Sequence, residues 1–73
     1  MKLSARNQFK GKVVSVNEGA VNCIVKIDIG GGNIVSATIS KEAVKELALE
    51  PGKEAYAVVK STSVMVGIDE TAE

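Results

Sequence analysis

The sequence predicts an all-β fold, a small Greek-key barrel with one short helix, and three observations carry that prediction. Apolar residues alternate with polar ones through residues 21–30 and again through 34–40 of this 73-residue chain, which is the period of a strand with one buried face. Glycine and Pro-Gly clusters cut the alternation into short runs. A single window, after Ser40, changes to spacings of three and four.

The first strand lies in "FKGKVVSVNEGA", residues 9–20. Its apolar phase slips between Val13 and Val14, which predicts a bulge or a strong bend. Asn17 to Ala20 turn the chain. The second strand, "VNCIVKIDIG", puts Val21, Cys23, Val25, Ile27 and Ile29 on one face and Asn22, Lys26 and Asp28 on the other. Glycines 30 to 32 and Asn33 supply the positive-φ positions of a hairpin loop. The third strand returns with Val35, Ala37 and Ile39 opposing Ser36, Thr38 and Ser40. Ser40 then has the chemistry of a helix N-cap, and Ala43, Val44 and Leu47 mark a short apolar stripe of about two turns. Pro51 and Gly52 make the next turn. "AYAVVK" (55–60) and "SVMVGI" (63–68) read as one bent strand or two separate ones, broken by the polar "KSTS". This order fits a five-stranded OB-like barrel with the helix between strands three and four. Residues 1–68 form the single expected domain, and 69–73 an acidic, frayed tail.

Composition narrows the function. One cysteine and no histidine leave no internal disulfide, no common zinc site and no histidine-based catalytic set. Cys23 is expected as a small core residue, and an enzyme is not expected. The nine cations equal the nine acids, and the aromatics are one Phe and one Tyr. Neither balance suits a nucleic-acid binder, which needs phosphate-neutralising charge and stacking surfaces. The start lacks the apolar run of a signal peptide, and no stretch approaches the about 18 apolar residues of a membrane span. A cytoplasmic protein is the expectation, with no nucleic-acid and no membrane partner. A chain this short, without staples, gains core by self-association. Ile24, Ile34, Val58 and Val64 fall on or near faces assigned to solvent, which also predicts a homo-oligomer.

The cations are unevenly placed. Lys2, Arg6, Lys10 and Lys12 precede the first acid. Two polar clusters interrupt the apolar pattern, "SAR" at 4–6 and "KSTS" at 60–63. Each joins a cation to hydroxyls at a strand end, where backbone N–H groups leave the ladder. Cation, hydroxyl and amide are all donors, a set suited to a small oxyanion. Ser40, at a helix N-terminus, is a further candidate donor. Lys10 and Lys12, inside the strand, are expected to be solvated.

"SARNQFKGKVVSV" opening the chain and "VVKSTSVMVGI" closing it resemble the molbindins, the small Mop-family molybdate-binding proteins. "GGNIVSATIS" and "EAVKELAL" leading to "PG" extend the resemblance over roughly residues 2–68. The same domain occurs as a module in molybdate-dependent regulators and transporter ATPases, and the resemblance here points to the free-standing form. It implies an OB-like barrel assembled as a hexamer, a trimer of dimers, with oxyanions between subunits. One kind of site would use Ser4, Ala5 and Arg6 from one subunit with Lys60 and Ser61 from its neighbour. A second, near the threefold axis, would use Gly19, Ala20, Val21 and Asn22.

The function implied is binding and storage of molybdate or tungstate without catalysis and without a further cofactor. Selectivity has a physical basis, since a donor-only site suits an anion that carries no proton. Hydrogen phosphate brings a donor that would face other donors. The alternative is an OB-type module that binds nucleic acid or another protein, because this barrel hosts all of these functions.

Overall fold

An alternating chain satisfies its apolar side chains by curling a sheet around them, and this one does so with four strands. The computed structural model describes residues 3–70. In chain order the elements are β1 (Asn7–Glu18), β2 (Asn22–Gly30), β3 (Asn33–Ser40), helix α1 (Lys41–Glu46), β4 (Glu54–Val59) and a 3-10 turn (Ser61–Ser63). All pairs are antiparallel, in the order β3-β2-β1-β4.

β1 serves two ladders. Its first half pairs with β4, from Asn7 opposite Val59 to Lys12 opposite Glu54. Its second half pairs with β2, from Lys12 opposite Asp28 to Glu18 opposite Cys23. The expected bulge is present as a register shift between Val13 and Ser15. It lets one strand bend from one ladder into the other. Gly11 sits where this bend brings backbones together. A Cβ there would lie 2.2 Å from the Asp28 carbonyl oxygen, so only glycine fits.

The buried core is Val13, Cys23, Val25, Ile27, Val44 and Ala57. Cys23 is a free thiol within it. Val21, expected on the same face, is instead 73% exposed, because β2 begins only at Asn22 and Val21 belongs to the turn.

Ser40 caps α1 as expected, its Oγ accepting from the Ala43 N–H at 3.0 Å. The helix is shorter than its apolar stripe. It stops because Ala48 enters the left-handed region at φ 51°. The Leu49 N–H then donates to the Val44 carbonyl and the Ala48 N–H to the Lys45 carbonyl, the pattern of a Schellman cap. Lys53 Nζ donates to the carbonyls of Leu47 and Ala48 at 2.5 and 3.3 Å, placing a cation at the negative helix end.

The count of strands differs from the expected five. Residues 64–69 form no helix or strand and lie outside any ladder, and Met65 (92%), Val66 (92%) and Ile68 (88%) are among the most exposed apolar side chains. The 3-10 turn at Ser61–Ser63 carries the chain off the end of β4, and among the described residues the segment pairs with no strand. The sheet is therefore a half-barrel, open between β3 and β4. An apolar cavity of about 710 Å³ lies along this opening, lined in part by Val35, Ile39, Leu49, Tyr56 and Val59. Of the expected tail, Asp69 and Glu70 are exposed and residues 71–73 lie outside the described residues, as does Lys2.

Candidate functional site

The β1–β4 ladder ends at Asn7 opposite Val59. The next residues outward are Arg6 on one strand and Lys60 on the other, so the two clusters leave the sheet side by side. Ser4, Arg6, Lys60 and Ser61 are exposed and Ala5 is half-buried. The arms are tied to the sheet by side-chain amides. Asn7 Nδ2 donates to the Val59 carbonyl at 3.3 Å, and Gln8 Nε2 donates to the Ala5 carbonyl at 2.9 Å. Beyond Lys60, which is extended at φ −64° and ψ 138°, the Ser63 N–H closes the 3-10 turn on the Lys60 carbonyl at 2.8 Å. The opening N–H groups of such a turn have no partner within it. Among the described residues, this end of the molecule therefore gathers the cations Arg6 and Lys60, the hydroxyls of Ser4, Ser61, Thr62 and Ser63, and the backbone donors that open the 3-10 turn.

The second group lies at the other end of β1. The Gly19 N–H donates to the Asn22 carbonyl at 2.8 Å, closing a tight turn through Ala20 and Val21. A Cβ on Gly19 would come within 2.7 Å of that same carbonyl oxygen. All four residues of the turn are exposed. Ser40 joins this group rather than the first, because it pairs with Asn22 across β2 and β3. The Lys41 N–H donates to the Val21 carbonyl at 3.1 Å, fastening the start of α1 to the turn. Ser40 Oγ spends an acceptor lone pair on its cap and retains its own proton for donation.

Three residues of these two ends were not singled out from sequence. Asn7 and Gln8 stand directly after Arg6, inside the opening motif, and a carboxamide beside a donor cluster was the available signal. Lys41 follows the N-cap and adds a cation to the Gly19 end. No group of three or more His, Cys, Asp or Glu is placed to hold a metal ion among the described residues. Among them, too, no helix is long and apolar enough to cross a membrane. Lys10 pairs with Glu54 at 3.5 Å on the open surface, away from both ends.

Comparison with known proteins gives the family of the chain. Residues 3–66 match the TOBE domain. A probable molybdenum-pterin-binding protein of Haemophilus influenzae is 70% identical over 69 residues, covering 94% of this chain and all of that one. Among solved structures, MopII from Clostridium pasteurianum superposes with a TM-score of 0.86 at 48% identity, over 92% of this chain and 100% of that one. The cytoplasmic molybdate-binding protein ModG, solved with molybdate bound, gives a TM-score of 0.89 at 42% identity, over 94% of this chain and 49% of its own. This chain belongs to the Mop family of molybdenum-binding proteins and carries the family's TOBE domain.

Proposed function

We propose that this protein binds molybdate or tungstate, without catalysing a reaction, at sites between the subunits of a cytoplasmic homo-oligomer, most simply a hexamer arranged as a trimer of dimers. Storage and homeostasis of the oxyanion are the role this implies. The observation that carries the reading is the end of the β1–β4 ladder, from which Ser4, Ala5 and Arg6 leave beside Lys60 and Ser61. Each subunit carries both arms at this end, so where two such ends meet at a subunit boundary the first arm of one would face the second arm of its neighbour, and an oxyanion between them would meet donors only. The turn through Gly19, Ala20, Val21 and Asn22, with Ser40 beside it, is the second site. The names of the relatives support the ligand class.

Oligomerisation is supported by what a single chain leaves exposed. Residues 64–68 have the composition of a strand and no ladder, while β3 and β4 are open edges facing an apolar cavity. A fifth strand pairing between those edges completes the OB-like barrel of residues 1–68, and a neighbouring subunit can provide it. Exposed edges and aliphatic segments of this kind are strongly driven to pair.

Native mass spectrometry with and without sodium molybdate tests both parts at once. The expected result is a hexamer that gains the mass of whole molybdate ions and gains none from phosphate. A monomer, or equal uptake of both anions, overturns the proposal.

A further inference from the structure

We infer that Asn7 and Gln8 are positioning residues of the oxyanion site, each holding one of the two donor arms in place through a backbone carbonyl. The inference rests on the assignment of that site to Ser4, Ala5, Arg6, Lys60 and Ser61.

Consecutive residues of a strand point to opposite faces, and these two use the difference. Gln8 reaches back three residues to the Ala5 carbonyl at 2.9 Å. That bond closes the first arm on itself, with Ala5 lying between Ser4 and Arg6. Asn7 reaches across the sheet to the Val59 carbonyl at 3.3 Å. That bond clamps the second arm at the residue before Lys60. Neither amide is needed to fill the core, which is made of Val13, Cys23, Val25, Ile27, Val44 and Ala57. Neither carries charge to offer an anion. Their hydrogen bonds fall instead on the two carbonyls that set where the cations leave the sheet.

Without them, both arms are short free segments ending in long, rotamer-rich side chains. Ordering such groups when a ligand arrives costs conformational entropy. Holding the arms beforehand moves that cost from binding to folding. A carboxamide does so without adding a charge that would compete with the dianion. A carboxylate at either position would be drawn to Arg6 and Lys60 and would occupy the site itself.

The test titrates the assembled protein with sodium molybdate by calorimetry, alongside Gln8→Met, Asn7→Leu and Arg6→Ala. Gln8→Met keeps length and removes the donor at an exposed position, so it leaves the fold intact whatever Asn7→Leu does. Loss of one such bond is expected to weaken molybdate about three- to tenfold. The loss should appear as a less favourable binding entropy, with the ligand-free melting midpoint and the oligomer mass unchanged. Affinity within twofold of the parent for Gln8→Met, while Arg6→Ala loses binding, overturns the positioning role alone. So does a loss of affinity that merely follows a drop in the ligand-free midpoint. Unchanged binding by Arg6→Ala overturns the site assignment underneath it.

Discussion

Arg6 and Lys60 differ in what they can give an oxyanion. Arg6 brings a planar fork of donors and a permanent charge, and Lys60 a single hydrated ammonium. Arg6→Ala is expected to cost about 2–5 kcal/mol at the intersubunit site, or roughly 30- to several-thousand-fold in affinity. Lys60→Ala should cost less, since water and amides replace an ammonium in part. Ser61→Ala should cost least, about 1–2 kcal/mol for one neutral donor to a charged acceptor. Lys10→Ala is the control, its ammonium engaged with Glu54 on the open surface. Calorimetric titration with molybdate ranks the four. A Lys10→Ala loss as large as that of Arg6→Ala would reduce the site to diffuse electrostatics.

Among the elements, α1 offers the sharpest check because its stop uses an unusual residue. A Schellman cap needs a left-handed residue, and glycine usually supplies it. Here Ala48 does, at a cost that its Cβ imposes. Ala48→Gly should therefore stabilise the fold by about 0.5–1 kcal/mol after the added freedom of the unfolded chain is subtracted, read from the urea midpoint at unchanged slope. This stop was not legible in the sequence, because alanine is a helix former and the apolar stripe runs on through Leu47. What depends on local chemistry was legible. The slip at Val13 and Val14 became a bulge, the glycines from 30 to 32 all adopt positive φ, and Ser40 capped its helix. What depends on pairing was not. The apolar run in "SVMVGI" suggests a strand but names no partner, and no ladder forms there among the described residues. Ser40 likewise reads as one more donor, and only the β2–β3 register assigns it to the Gly19 end. The two cation clusters could be named from sequence, whereas their shared exit from the sheet depends on the β1–β4 register.

At the scale of the whole molecule, the core of one chain is small and its edges are open, so folding and assembly are expected to be linked. Light scattering of the full chain at micromolar concentration should give a multiple of the 7.6 kDa subunit mass. Deleting residues 64–73 should abolish that assembly, because it removes the exposed apolar segment after Ser63 while sparing both donor arms. A ligand held only by the assembled state stabilises it by mass action. Molybdate and tungstate should then raise the melting midpoint of the full chain, and phosphate should leave it where it is. An equal rise with all three anions would mean ionic screening instead of a site.

The bond from Asn7 to Val59 joins residues 52 positions apart, and this separation imposes an order of events during synthesis. At translation rates of about 5–20 residues per second, roughly 3–10 s pass between making the first and making the second. The turn at Gly19 can be fastened as soon as Lys41 emerges, whereas Arg6 has no counterpart until the chain is almost finished. The nascent protein thus acquires its two ends in sequence, the Gly19 end first. A product cut short by a premature stop before Val59 would keep Arg6 and the Gln8–Ala5 bond of its arm, and would lack the second arm altogether.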